Sequence, residues 1–279
     1  MTEMENAGGN PWSLTASEMK AAAKDGPPAL IEGLLPSRAV VTFAGEPGIG
    51  KSMCALSWAA SVSTGQAWFG HAVPTAYSVL YLLGEGFGAF GKRVQAWEDE
   101  WGQALPDHLR FVDGQGHGID LSDETRLPEL IEQIKTIGPG LIVMDTFAML
   151  ARVQSENDNA EVGKVYRAAH KIVRATGATV VLVHHVSKAA GQVRGATAFR
   201  GNADAVIVAA QEEKQRGDDS DVSRFFLSTR SQDDGKQRDM EPVWIPGFVI
   251  DKGTLMHSAT MEQKARAAEG LGQIMQMIG

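Results

Sequence analysis

Three glycines, a lysine and a serine are crowded into residues 45–52, GEPGIGKS, directly after the apolar run AVVTF. The spacing is that of a G-x-x-x-x-G-K-[ST] loop, in which glycines let backbone N–H groups converge on phosphate oxygens at the start of a helix. Residues Gly45, Glu46, Pro47, Gly48, Ile49, Gly50, Lys51, Ser52 and Met53 are therefore the expected nucleotide-binding set. Within it, Lys51 neutralises the β- and γ-phosphates and the Ser52 hydroxyl ligates Mg2+. The apolar run before the loop reads as a strand, and SMCALSWAASVS after it reads as a helix, which are the flanks this chemistry needs.

Other polar residues stand at the ends of apolar runs. Asp145 closes LIVMD, where its carboxylate emerges at the C-terminal edge of a sheet. There it would hold Mg2+ directly or through water; the alternative is a cap on the following turn. Glu85 follows VLYLLG and is placed to take a proton from water attacking a γ-phosphate. His184 and His185 close TVVLVHH. Neighbouring side chains on a strand point to opposite faces, so at most one of them faces the nucleotide. A strand-end residue that senses the γ-phosphate is the expected role. No Cys or third His stands at zinc-ligand spacing.

Cations form a third group. From residue 162 to 203 there is no acidic residue, yet Lys164, Arg167, Lys171, Arg174, Lys188, Arg194 and Arg200 fall there. The first four are spaced by three, four and three, so they share a helix face, which reads as solvated. The last three lie in VSKAAGQVRGATAFRG, a small-residue loop suited to a phosphate backbone or to a neighbouring subunit's nucleotide. Arg230, in LSTRSQDDG at the end of a late strand, is a candidate arginine supplied in trans; the alternative is a surface hairpin arginine.

The elements that must position these groups follow from the pattern. Short apolar runs AVVTFAG, SVLYLLG, LRFVDG, LIVMDT, TVVLVHH and DAVIVAA alternate with helical stretches at residues 52–63, 90–102, 127–137 and 161–176. Continuous apolar runs joined by helices predict an α/β fold with a mostly parallel central sheet flanked by helices. After Gln211 the runs SRFFLSTRS and PVWIPGFVI, joined by a DDGKQRD turn, predict a C-terminal antiparallel β extension. The expected organisation is an N-terminal arm over 1–28 with a short helix at 15–24, an ATPase domain over 29–255 and a helical tail over 256–279. The formal charge of −8 argues against a basic nucleic-acid coat protein, although a local basic surface is compatible with it. One cysteine, Cys54, leaves no internal disulfide framework. The first residues lack a signal-peptide pattern, and no apolar run is long enough to span a bilayer, so a soluble cytoplasmic protein is expected.

In order, GEPGIGKS, the Glu in YLLGEG, LIVMD, VVLVHHVSK and RGATAFRGNADAV resemble the RecA-like core of the ring ATPases. The resemblance is strongest to the RepA-type replicative helicases of plasmids and phages, the AAA_25 group, and covers about residues 30 to 249. HHVSK followed by the arginine-glycine repeats is its most specific part. It implies a RecA-like P-loop fold, ATP and Mg2+ as cofactors, and a hexameric ring with ATP between subunits and single-stranded DNA in the channel. By matching position it implies Glu85 as catalytic base, His184 or His185 as the link from γ-phosphate to the DNA loops, and Arg194 or Arg200 beside the neighbour's nucleotide. In the related DnaB-type helicases a Lys-x-Arg on the late strand crosses the interface. The matching residues here are Arg230 and Gln232, so the second cation is missing and the identity of the trans arginine stays open. The resemblance also implies an N-terminal arm docked on the next subunit. Two alternatives to a helicase are an ATPase of recombination or repair that does not unwind, and a regulatory ATPase with a protein partner. Against a small-molecule kinase stand Glu85 and the glycine-rich VRGATAFRG loop.

Overall fold

The six apolar runs form six parallel strands: β1 (Val40–Gly45), β2 (Val79–Leu83), β3 (Leu109–Asp113), β4 (Leu141–Asp145), β5 (Thr179–His185) and β6 (Ala205–Gln211). The computed structural model describes residues 13–24, 27–152, 158–185, 196–212, 224–238, 240–251 and 253–257. Every residue of β1, β2 and β4 is buried, as befits strands covered on both faces. β3 is the sheet's edge and is correspondingly less buried. The strand order is β3-β2-β4-β5-β1-β6, continued by antiparallel β7 (Phe225–Ser228), β8 (Trp244–Asp251) and β9 (Thr254–His257).

Helices make the crossovers that parallel strands require. α2 (Lys51–Thr64) and α3 (Phe87–Trp101) pack on one face of the sheet. α4 (Leu127–Ile137), α5 (Phe147–Leu150), α6 (Asn159–Thr176) and α7 (Ala196–Asn202) pack on the other. α2 is apolar nearly all round and buried from Met53 to Ser63, so it forms the centre of its layer. It stops at Gly65, whose left-handed backbone returns its N–H to the Ser61 carbonyl. α6 starts where the Asp158 carboxylate accepts from the amides of Ala160 and Glu161. Its apolar side is core, while Lys164, Arg167, Lys171 and Arg174 line the exposed side.

The sheet, its parallel strands and the antiparallel extension agree with the sequence pattern; several boundaries do not. α3 begins at Phe87, three residues before its expected start, because Gly86 takes a left-handed conformation (φ 66°) and opens the helix at once. α5 and β9 were not anticipated. The DDGKQRD segment is more than a hairpin turn. It contains a 3-10 turn at Ser231–Asp233, after which Lys236 exchanges backbone hydrogen bonds of 2.9 and 2.8 Å with Val206 of β6. The extension is fastened to the body by rings, with Trp68 stacked on Phe248 at 5.2 Å and Phe69 edge-on to the same ring at 5.6 Å. At the other end α1 (Ala16–Lys24) leaves Leu14 and Met19 exposed. The tail expected after residue 257, and Lys188 and Arg194, lie outside the described residues. Among the described residues no helix is long and apolar enough to cross a membrane.

Candidate nucleotide site

Gly45 ends β1 between His185 of β5 and Ala209 of β6, so the glycine-rich loop leaves the sheet at its C-terminal edge. Gly50 closes the loop with φ 103°, and a Cβ there would lie 2.9 Å from Ile250 Cδ1. Only glycine meets both demands. The first-turn amides of α2 have no intrahelical acceptor, and no side chain caps them, which leaves them facing an anion position.

Lys51 is 3% exposed. Its Nζ donates to the carbonyls of Gly45 and Glu46, both at 2.7 Å, and lies 3.0 Å from His185 Nδ1. Burial lowers its pKa to about 8 despite the opposing charges of Asp145 and Glu46. At neutral pH the ammonium is thus charged and held by its own loop, in position to exchange these acceptors for phosphate oxygens.

Asp145, 4% exposed at the end of β4, accepts a 2.8 Å hydrogen bond from the Tyr81 hydroxyl. The same hydroxyl lies 3.4 Å from the Ser52 carbonyl, so one tyrosine ties Asp145 to the first turn of α2. Burial and the Asp145 charge push the Tyr81 phenol well up, which keeps its proton in place as a donor. A hydroxyl and a carboxylate are hard oxygen donors of the kind Mg2+ takes, so Ser52 and Asp145 fit that ion.

Glu85 is placed by the glycine before it. The Gly84 amide donates to the Asp145 carbonyl at 2.6 Å, and a Cβ on Gly84 would meet Met149 Cβ at 2.6 Å. Glycine therefore lets the end of β2 close against β4 and α5, and Glu85 emerges exposed at the site's mouth. Burial and Lys51 lower the His185 pKa, while Asp145 and Glu85 pull it back up. These four residues are thereby electrostatic neighbours.

His184 faces the other way. It is 2% exposed, its ring 4.0 Å from that of Phe199 and edge-on to Phe147 at 5.5 Å. Its Nδ1 has no hydrogen-bond partner among the described residues. Burial, with His185 and Lys51, lowers its pKa to about 4, so it is neutral at physiological pH. His185 is the histidine at the phosphate loop, a choice that strand alternation alone leaves open.

The cations divide similarly. Arg200 on α7 pairs with Asp234 at 3.5 Å. Lys171 lies 4.0 Å from Glu124. Arg230 is exposed, its guanidinium 5.8 Å from the centre of the Trp244 ring. Trp244 and Tyr81 were missed in the sequence; a tyrosine within a buried apolar strand signals that its hydroxyl has a buried partner.

Residues 11–191 match the family model AAA_25, described as an AAA domain. No curated protein matches the sequence. In structure the chain is similar to a KaiC-like protein of the hyperthermophilic archaeon Pyrococcus horikoshii, with a TM-score of 0.54 and 18% identity over 82% of this chain and 93% of that one. It is similar in the same measure to the solved ATPase domain of a helicase, with a TM-score of 0.54 and 14% identity over 79% of this chain and 85% of that one. At these identities the likeness is one of fold, and the fold is RecA-like.

Proposed function

The chain belongs to the AAA_25 family of AAA domains and is a P-loop ATPase of RecA-like fold, and from that premise we propose that it hydrolyses ATP, with Mg2+, at sites shared between copies in a ring. The cycle drives movement along single-stranded DNA, as in a replicative helicase.

The position of Arg230 carries the shared site. Gly45, where the loop begins, is level with Ala209, whereas Ser228 of β7 is level with Val208 and the chain then runs toward the opposite edge of the sheet. Arg230 is therefore roughly 10 Å from the loop along the strands and roughly 10 Å across them, beyond the reach of an arginine side chain. Its natural target is a second copy's phosphates.

Each residue's role follows from its place. Lys51 gives up its loop carbonyls to bind the β- and γ-phosphates. Glu85 accepts the proton of the attacking water, and His185, in contact with Lys51, reads whether a γ-phosphate is present. Mg2+ held by Ser52 and Asp145 would offset negative charge on the phosphate oxygens. Arg230 stabilises the transition-state charge of the neighbouring site. Lys188 and Arg194, in the segment after β5, are assigned to the DNA backbone. The N-terminal arm, with Leu14 and Met19 exposed, is assigned to the next copy.

The equal likeness to the KaiC-like protein favours one other reading, a regulatory ATPase with a protein partner. ATP hydrolysis with and without single-stranded DNA, at two salt concentrations, separates the two. Stimulation that fades with salt supports the DNA motor. Hydrolysis indifferent to DNA selects the regulatory ATPase.

A further inference from the structure

The short helix α7 is gripped from two sides. On one side Phe199, 3% exposed, stacks on His184, the residue next to the histidine that touches Lys51. On the other, Lys236 Nζ donates to the carbonyls of Arg200 at 2.7 Å and Ala203 at 2.5 Å. The last carbonyls of a helix have no intrahelical donor and carry its negative pole, so an ammonium satisfies both needs at once. Bonds to an ionised donor are also the stronger kind.

Lys236 is itself fixed, because its N–H and C=O both bond to Val206 of β6. It closes the turn that carries Arg230. Within that turn the Arg230 carbonyl accepts from the amides of Asp233 at 3.1 Å and Gly235 at 2.9 Å. The Ser228 hydroxyl donates to Asp233 at 2.6 Å and accepts from the Arg230 amide at 3.1 Å. The Arg200–Asp234 pair adds a second tie between α7 and the turn.

We infer that Lys236 is a positioning residue: by clamping the end of α7 to the turn that carries Arg230, it sets the arginine offered to a neighbouring copy. Through α7, His184 and His185, the same clamp links that arginine to the subunit's own phosphate loop. This rests on the reading of Arg230 as a trans residue.

The test separates donor from acceptor. Lys51→Ala subunits cannot hydrolyse and serve only to donate Arg230, whereas Arg230→Ala subunits can only accept it. Mixing the two restores hydrolysis. Lys236→Met added to the Lys51→Ala donor lowers the restored rate by about 10²-fold, the cost of a misplaced catalytic group. The same change in the Arg230→Ala acceptor leaves it little altered. Equal loss in both positions, or no loss in the donor, overturns the inference. Absence of any restored activity before Lys236 is changed overturns the trans reading instead. Circular dichroism checks folding; should Lys236→Met not fold, Lys236→Gln goes through the same two mixtures with the same expectation.

Discussion

Lys51 and Arg230 both carry charge suited to phosphate, yet the two regions that hold them are built differently. Lys51 lies in the parallel half of the sheet, buried, with two loop carbonyls and His185 around its ammonium. Arg230 lies on the antiparallel extension, exposed, with Trp244 beneath its guanidinium and that ring itself 43% exposed. A buried cation has to be satisfied within its own chain. An exposed one held over an aromatic face keeps its hydrogen-bond donors available. The parallel half thus supplies a finished phosphate cradle, and the extension presents a charge outward.

That contrast breaks first at its catalytic members. Arg230→Ala should lower kcat about 10³-fold or more while leaving the affinity for a fluorescent ATP analogue unchanged. Glu85→Gln should bind equally well and lose about 10²–10⁴-fold in rate. Gly84→Ala drives a Cβ toward Met149 and should destabilise the fold by about 1–3 kcal/mol, read as a lower Tm, with a lower rate because Glu85 is displaced.

Two pH effects sharpen the contrast. Lys51 titrates near 8 in the free protein, below its ordinary 10.5. Above pH 8 the cradle loses its charge, so nucleotide affinity should fall by up to about tenfold per pH unit. In the same window, 8 to 10.5, the unfolded chain binds more protons at this residue than the folded one. Its contribution to stability therefore rises with pH while affinity drops, and thermal melting beside binding titrations checks both signs. His184 gives the smallest effect. Its folded pKa of about 4 lies below 6.5, so its contribution to stability is present above 6.5 and is lost as pH falls toward 4. His184→Phe should flatten the dependence of Tm on pH across that interval.

The parallel half was largely legible in the sequence because its signals are contiguous. GEPGIGKS, LIVMD and YLLGEG each place a functional group at the end of an apolar run, and the fold collects those ends at one edge. The extension was legible only as strands. Its particular contacts join residues far apart in the chain: Lys236 to Arg200, Trp68 to Phe248, and Gly50 to Ile250. No local spacing encodes such pairs. The histidine pair lies between these cases, since alternation requires that the two diverge and only the packing of Phe199 and Phe147 decides which one turns away. Nothing in MDT announces the cis peptide between Asp145 and Thr146.

The most direct test of the shared site mixes Arg230→Ala and Lys51→Ala proteins, each inactive alone, and measures ATP hydrolysis across mixing ratios. Activity that appears in the mixture and peaks at intermediate ratios is the expected result. No activity at any ratio, or a native rate from Arg230→Ala alone, contradicts the account.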